Sequence, residues 1–410
     1  MVTPSELQAA LRAVAGHHQA GRLRDAEDGC RRILQDSPRH PETNFFLGLV
    51  LKDQGKLAEA ETVFRLAVTE APNAWGGHLN LGTVLFSQGK LDEAEASYRR
   101  VLALKPDMTD ALKNLGLVMV DQGRSTESIE WFRRHAALVY GTPQDNPYGR
   151  APIAPHKAAH DQEQRSYLSG SNGGGVAPIF HLEEGARVTG SAVNPDSSKG
   201  DIAARWQTSS PQVAVIDNLL TDEALNALRK YCWRSTIWHK VYPNGYLGAM
   251  PEHGFACPLV AQIADELRSV YPAIVREYPL LRWWGFKYDS RLKGINVHAD
   301  FAAVNVNFWI APDDANLDPE SGGLVIWDKP APQEWTFAQY NNPNAGQMIR
   351  SFLAESGAKS MTVPHRANRA VIFDSDLFHE TDRIAFKEGY LNRRINITML
   401  YGRREATAKQ

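Results

Sequence analysis

The chain is poor in cysteine: Cys30, Cys232 and Cys257 are the only three in 410 residues. An odd, widely spaced set without metal-like spacing argues against a disulfide framework and for a reducing compartment. Neither sign of charge is in excess, with 45 Lys and Arg against 47 Asp and Glu and a net charge of −2. A general nucleic-acid or membrane-surface binder needs a basic face, so that class is disfavoured. No apolar run reaches membrane-spanning length. The opening stretch MVTPSELQAALRAVAG has no basic segment leading into an apolar one, so a cytoplasmic protein is expected. What is present is ordinary for a globular protein, 43% apolar and 22% charged. The length exceeds one common core, and two or three domains are expected.

The first third repeats. Leu-Gly recurs at Leu47-Gly48, Leu81-Gly82 and Leu115-Gly116, and Gln-Gly at Gln54-Gly55, Gln88-Gly89 and Gln122-Gly123, both at a spacing of 34. Gly21 extends the register backwards, Pro38, Pro72 and Pro106 close successive units, and Ala26, Ala60 and Ala94 each follow an acidic residue. A small residue after the leucine lets a partner helix approach. The mid-unit glycine supplies a left-handed helix end, and KLAEAETVFRLAV and KLDEAEASYRRVL read as amphipathic second helices. This pattern resembles the tetratricopeptide repeat, with units at 7–40, 41–74, 75–108 and 109–142, the last degraded in its second helix. The resemblance implies an all-α solenoid over residues 1–142. Its concave face would grip a peptide or protein; about four units would equally serve as a docking or dimerisation arm.

Composition changes over the expected linker, 143–212. GTPQDNPYGRAPIAP is rich in turn formers and LSGSNGGGVAP reads as flexible, while HKAAHDQEQRSYL between them reads as one helix. His156 and His160 stand four apart on it, a metal-capable spacing. No third ligand follows in a matching context, so a solvated helix face is the expectation.

From Val213 the pattern turns to strands. VAVIDNLLTDEALNALRKYC reads as strand, turn and a helix capped by Thr221, and PLVAQIADELRSVYPAIVREY as a second amphipathic helix. RWWGFKYD, AAVNVNFWIA, GGLVIWD, SMTVPH, RAVIFDS and RINITMLYG follow as short strands. An α+β domain is expected, a sheet or barrel with helices on one side. A carboxylate lies two residues after His40, His181 and His298, so that spacing alone says little. Only His298-Ala-Asp300 stands at the entrance of a strand with further strands behind it. Side chains two apart in an extended segment point the same way and can share a metal. A non-haem iron(II) site takes two imidazoles and one carboxylate on one face. His379 fits as the second imidazole, on a loop that the apolar strand RAVIF runs into. Arg394 opens the last strand, where a buried arginine calls for a carboxylate partner.

This order of strand, His-x-Asp, strands, His, Arg and strand resembles the 2-oxoglutarate- and iron(II)-dependent dioxygenases, most closely the prolyl 4-hydroxylase type. The resemblance covers about 213–403. VIDNLLTDEALNAL is like that family's entry strand and helix, and Tyr288 lies ten residues before His298, where the family places a tyrosine facing the co-substrate. SGGLVIWD is like its Gly-Gly strand, and RINITMLY like its last strand. It implies a double-stranded β-helix (jelly-roll) oxygenase domain at 213–405. His298, Asp300 and His379 would hold Fe(II), and Arg394, helped by Tyr288, the distal carboxylate of 2-oxoglutarate. Thr398 and Asn307 are further co-substrate candidates, although an asparagine hydrogen-bonded inside a barrel explains Asn307 as well. The implied reaction uses O2 and gives succinate, CO2 and a hydroxylated C–H. Asp300 separates the chain from the halogenating variants and the aspartyl β-hydroxylases, which lack that carboxylate. Trp309, Trp335 and Arg383 are candidate substrate contacts. Trp335, Phe337 and Tyr340 sit in a long insert, 329–360, that reads as a lid or as cover for a sheet edge. His365 reads poorly as a metal ligand because the triad is complete, and Asp374 and Asp376 read as partners that orient an imidazole or as turn formers. The expected substrate is a peptide or protein side chain recruited by the repeats. A small-molecule hydroxylase with repeats for assembly, and a non-catalytic repeat scaffold, are the alternatives.

Overall fold

The computed structural model describes residues 4–141, 153–171, 178–198, 202–289, 294–342 and 344–403. Most of GTPQDNPYGRAPIAP and the glycine run of LSGSNGGGVAP therefore lie outside the described residues. The chain forms two compact units, residues 1–122 and 123–410.

The first unit is a helical solenoid: α1 Pro4–Gln19, α2 Leu23–Asp36, α3 Pro41–Asp53, α4 Leu57–Glu70, α5 Trp75–Ser87, α6 Leu91–Leu104 and α7 Thr109–Asp121. The Leu-Gly marker works as read. A Cβ on Gly48 would stand 2.6 Å from the Phe64 ring, and one on Gly82 2.8 Å from the Tyr98 ring, so each glycine sets how closely two helices pack. Gly55 closes its turn at φ 77°, a conformation that a Cβ disfavours. The 34-residue period also runs through the charges. Lys56 and Arg31 bind Glu27, and one unit on Lys90 and Arg65 bind Glu61.

The second unit opens with α8, Ser125–Tyr140, and α9, Pro155–Ser171. After them come α10 Ile202–Thr208, β1 Val213–Ile216, α11 Asp222–Arg234, β2 Lys240–Tyr242, β3 Tyr246–Ala249, α12 Pro258–Val270, α13 Pro272–Val275, β4 Leu280–Tyr288 and β5 Ala302–Trp309. The chain continues through β6 Leu324–Pro330, α14 Phe337–Tyr340, α15 Gly346–Glu355, β7 Ser360–Val363, β8 Ala370–Asp374, β9 Leu377–Thr381 and β10 Ile395–Arg403. Thr221 caps α11 as expected, accepting from the Ala224 amide. On α8, Phe132 meets the Trp283 ring edge-on at 6.0 Å and Arg133 donates to the carbonyls of Glu183 and Ala256.

Two expectations about the linker need correction. The helix α9 forms, but it does not present a solvated polar face: Lys157, His160, Gln164 and Leu168, at helical spacing, are buried. Polar letters hide that stripe in the sequence. Burial is tolerable because Lys157 pairs with Asp161, Gln164 donates to the Ser235 carbonyl at 2.9 Å, and the His160 ring lies against Tyr390 and Trp238. Residues 178–198 are not a free tether either. They run along α12, whose Gln262 and Glu266 accept from the amides of Val188, Ala192 and Val193 at 2.7–3.0 Å.

The strands form two antiparallel sheets, a seven-stranded one in the order β1-β8-β5-β10-β4-β3-β2 and a three-stranded one in the order β7-β6-β9. Helix α12 is tied to the outer face of the larger sheet, where Tyr401 donates to the Ala264 carbonyl at 3.0 Å. On the inner face, Trp309, Val371 and Phe373 form one apolar cluster with Leu324, Ile326, Val363 and Leu377 of the smaller sheet. With both faces covered, β5 and β10 are buried almost throughout instead of alternating. His379 departs from the expected placement: it lies in the middle of β9, after a tight turn from β8, not on a loop. The turn accounts for Asp374 and Asp376, since the Asp376 amide donates to the Asp374 carboxylate at 3.0 Å. No helix among the described residues is long and apolar enough to cross a membrane.

Replacing Gly48 with valine should force apart α3 and α4. We expect a loss of about 1–3 kcal/mol in solenoid stability, the usual cost of overpacking. Denaturant unfolding followed by circular dichroism measures it. An unchanged midpoint would mean that Phe64 yields freely.

Candidate metal centre and inner pocket

His298 precedes β5 and His379 lies within β9, and the two backbones pair directly. The His298 amide donates to the His379 carbonyl at 3.0 Å and the His379 amide returns the bond at 2.8 Å. The imidazole centroids are consequently 4.3 Å apart. Asp300 completes the cluster: its carboxylate oxygens lie 3.9 Å from His298 Nε2 and 3.6 Å from His379 Nε2. Among the described residues, this is the one group of three or more His, Cys, Asp or Glu side chains that converge closely enough to hold a metal ion.

Both imidazoles are oriented in the same way. Nδ1 of His298 donates to the Asn296 carbonyl at 2.9 Å, and Nδ1 of His379 to the Leu377 carbonyl at 3.0 Å, each two residues back. A ring that donates from Nδ1 presents the lone pair of Nε2, the tautomer a metal requires. Burial first, and then the neighbouring His298, push His379 down to about 4, so it is neutral at pH 7. The His298 side chain keeps 18% exposure while those of Asp300 and His379 keep 6% and 4%, so the cluster opens to solvent on the His298 side.

The carboxylate is held from two directions. Asn305, five residues on and inside the sheet, donates to Oδ2 at 2.8 Å, and Asn341 donates to Oδ1 at 3.2 Å and to the Ala299 carbonyl at 2.8 Å. Asn341 follows α14 in the insert, which also accepts the Ala299 amide through the Tyr340 carbonyl. Sequence reasoning missed both asparagines as positioning residues. The two-residue period from Asp300 does not reach Asn305, and nothing local connects Asn341 to a residue 41 positions away.

Deeper between the sheets lies Arg394, only 1% exposed. Its Nε and one terminal nitrogen donate to the carbonyls of Gly322 and Gly323 at 2.5 and 3.1 Å, and the other terminal nitrogen to Asn396 Oδ1 at 3.0 Å. Those contacts engage three of the five N–H groups of a guanidinium. Among the described residues no carboxylate pairs with it; Asp382 acts on it only through a weaker field. The Tyr288 ring, one strand across, lies 4.5 Å from the guanidinium carbon, and its hydroxyl reaches Thr381 Oγ1 at 3.4 Å. Burial lowers Arg394 from its ordinary value and raises Tyr288. Strand register adds a polar row. Asn307 stands opposite Thr398 and donates to it at 2.9 Å, and Asn396 donates to Asn307 at 3.4 Å.

The remaining candidates separate. Trp309 is fully buried beside Arg394, 5.8 Å from ring to guanidinium, so it belongs to this buried group and not to an outer surface. Trp335 packs on Phe352 and Phe378 in a cluster under the insert. Of its neighbours, Phe337 is exposed and Tyr340 buried. Arg383 is 69% exposed and pairs with Asp318. Arg393 turns to the opposite side from Arg394 and binds Glu163 at 2.9 and 3.1 Å. Among the described residues, His156 and His160 belong to no group of three side chains that could hold a metal ion.

Residues 7–74 and 79–145 match the tetratricopeptide repeat family, which spans the first unit and α8. No curated protein matches the chain. Among solved structures, the MamA protein is similar at 21% identity and TM-score 0.31, over 32% of this chain and 72% of that one. A form of MamA from Desulfovibrio magneticus is similar at 18% identity and TM-score 0.31, over 32% and 74%. The first repeat domain of Spaghetti (RPAP3), bound to an HSP90 peptide, is similar at 23% identity and TM-score 0.28, over 28% and 93%.

Asn341→Ala should leave the fold intact, because the side chain is half-buried, while loosening Asp300. We expect divalent-metal affinity to fall about 10- to 100-fold. Titration with Mn(II), followed by calorimetry or electron paramagnetic resonance, reads this directly.

Proposed function

We propose that the second unit is a 2-oxoglutarate- and Fe(II)-dependent dioxygenase that hydroxylates a C–H bond, and that its two facing antiparallel sheets form a double-stranded β-helix. The observation that carries this reading is a pairing of two sites. Two imidazoles and one carboxylate converge on one point. Beside them, in the same interior, lies a buried guanidinium with no protein carboxylate as partner among the described residues. Nitrogen, nitrogen and oxygen donors in that arrangement suit non-haem Fe(II) and leave other positions free. A buried unpaired charge is costly, and a dicarboxylate co-substrate removes the cost by pairing with it.

Each residue then has a definite task. His298, Asp300 and His379 would hold the metal. The two carbonyl-anchored Nδ1 protons keep both imidazoles in the binding tautomer. Asn305 and Asn341 fix the carboxylate. Arg394 would bind the distal carboxylate through its remaining N–H groups, with Tyr288 stacked on it. Asn307, Asn396 and Thr398 keep one another satisfied and hold Arg394 in place, a positioning role for the first and last. With O2, Fe(II) and 2-oxoglutarate supply the oxidation, releasing succinate and CO2 as the substrate gains a hydroxyl. The substrate would approach from the His298 side, where the cluster is open to solvent.

Tetratricopeptide repeats suit protein interaction. On that basis the proposed substrate is a peptide or protein side chain, with the repeats as the recruiting surface. Three free, buried cysteines agree with a reducing, cytoplasmic setting. A scaffold without chemistry is the competing reading, favoured by the repeats alone.

Purified wild-type protein should bind one Fe(II) and release succinate from 2-oxoglutarate. His298→Ala should lose both. Arg394→Met should keep the metal but raise the 2-oxoglutarate KM about 100-fold or more, as expected for breaking a buried charge pair. A wild type that binds no iron would overturn the enzyme reading. A chain beginning at Gly123 keeps α8 with the unit it packs in. If it turns over the true substrate at the full-length rate, the repeats do not recruit that substrate.

A further inference from the structure

The loop after β7 carries a histidine that the proposed chemistry leaves unused. His365 is 4% exposed, and neither ring nitrogen has a hydrogen-bond partner. It is not part of the metal cluster. Its backbone is fixed beside the Arg394 grip. The His365 amide donates to the Ser321 carbonyl at 3.1 Å, and the next two carbonyls, Gly322 and Gly323, hold Arg394. The turn also packs closely on the end of β7, since a Cβ on Gly323 would stand 1.8 Å from the Val363 carbonyl oxygen. The imidazole packs edge-on against Phe386 at 5.0 Å and lies 5.9 Å from the Trp309 ring. Trp309 Nε1 is also buried without a partner. The strip around Arg394 thus holds two further uncommitted polar side chains.

A buried polar group is normally satisfied, and an exception calls for a ligand. Burial first, then the Arg394 and Arg369 guanidiniums, push His365 down to about 3, so the ring is neutral and carries one N–H donor. A carboxylate accepts about four hydrogen bonds, more than the free N–H groups of Arg394 provide. Donors without added charge are what such an anion still lacks.

We infer that His365, together with Trp309 Nε1, donates to the carboxylate that Arg394 binds, making His365 a third anchor for the distal end of the co-substrate. This rests on the 2-oxoglutarate reading above. The anchor also selects for length: an oxo acid without a distal carboxylate gains nothing from it.

The test uses full-length protein loaded with Mn(II), in which no turnover occurs, and reads binding by calorimetry. 2-Oxoglutarate and pyruvate, which lacks the distal carboxylate, are compared. His365→Phe should weaken 2-oxoglutarate roughly 10- to 100-fold, the range of one hydrogen bond to a charged group, and leave pyruvate and Mn(II) affinity unchanged. His365→Gln, which keeps an N–H donor, should restore most of the binding. Equal losses for both oxo acids, or none for either, would overturn the anchor. Failure of the wild type itself to bind 2-oxoglutarate would instead overturn the co-substrate reading. Should the phenylalanine variant not fold, wild-type protein loaded with Zn(II) and labelled with 15N-histidine decides. 2-Oxoglutarate, but not pyruvate, should bring one buried non-ligand imidazole N–H into slow solvent exchange; an unaltered spectrum refutes the proposal.

Discussion

Two hydrogen bonds between the backbones of His298 and His379 hold the site together. Each residue donates to and accepts from the other, which fixes the separation of the two imidazoles before any side chain is considered. The pair also joins the two sheets, because His298 leads into β5 of the larger and His379 lies in β9 of the smaller. The neighbouring backbone continues the tie: the Asp300 amide donates to the Ser375 carbonyl at 3.0 Å and the Ser375 amide to the Ala303 carbonyl at 3.2 Å. All three candidate ligands are therefore set by main-chain geometry. On that fixed frame the Nδ1 bonds of both imidazoles and the two asparagines at Asp300 set the side-chain rotamers, which completes the preorganisation.

The second constraint is the burial of Arg394. A guanidinium in a low-dielectric interior must be satisfied by hydrogen bonds or paired. The fold answers with carbonyls from a Gly-Gly turn, an asparagine two residues along its own strand and an aromatic face. None of these is an anion. Neutral partners keep the charge in place without quenching it, so the interior stays attractive to an anionic ligand. The polar row of Asn307, Asn396 and Thr398 follows from the same need. Had Asn307 and Thr398 been apolar, Asn396 could not both accept from Arg394 and be held by its own neighbours.

How much of this was legible depended on range. The repeat was plain because each 34-residue unit restates its own markers, and Gly48 and Gly55 serve the packing and turn roles that their spacing suggests. His298, Asp300, His379 and Arg394 could be picked out because each stands at a strand entrance or within an apolar run. Strand period two puts Thr398 on the face of Arg394 and Asn307 on the face of Trp309, and the strand register then brings Asn307 opposite Thr398. The positions that escaped depend on distant pairing. Asn341 reaches Asp300 from an insert, and β9 escaped because the turn after β8 is too tight to show a boundary in a run of Asp, Ser and Leu. The buried stripe of α9 escaped for a different reason: its residues are Lys, His and Gln, and only their partners make burial tolerable.

The insert joins roles that sequence reading sets against each other. Residues 329–360 read in the sequence as a lid or as cover for a sheet edge. Trp335 and Tyr340 do pack into an apolar cluster with Ile349, Leu353 and Phe378, which is structural cover. Phe337, on the same short helix as Tyr340, stays exposed and meets Phe301 at 6.2 Å, next to Asp300 in the chain. Asn341 closes that helix and holds the Asp300 carboxylate. A segment that only covered an edge would have no reason to bind a metal ligand, and one that only closed over substrate would not be anchored in the core. Its packed face gives Asn341 a fixed base, and its exposed face lies one residue from the candidate ligand. The insert is thus bound through Asn341 to the carboxylate of the candidate metal centre.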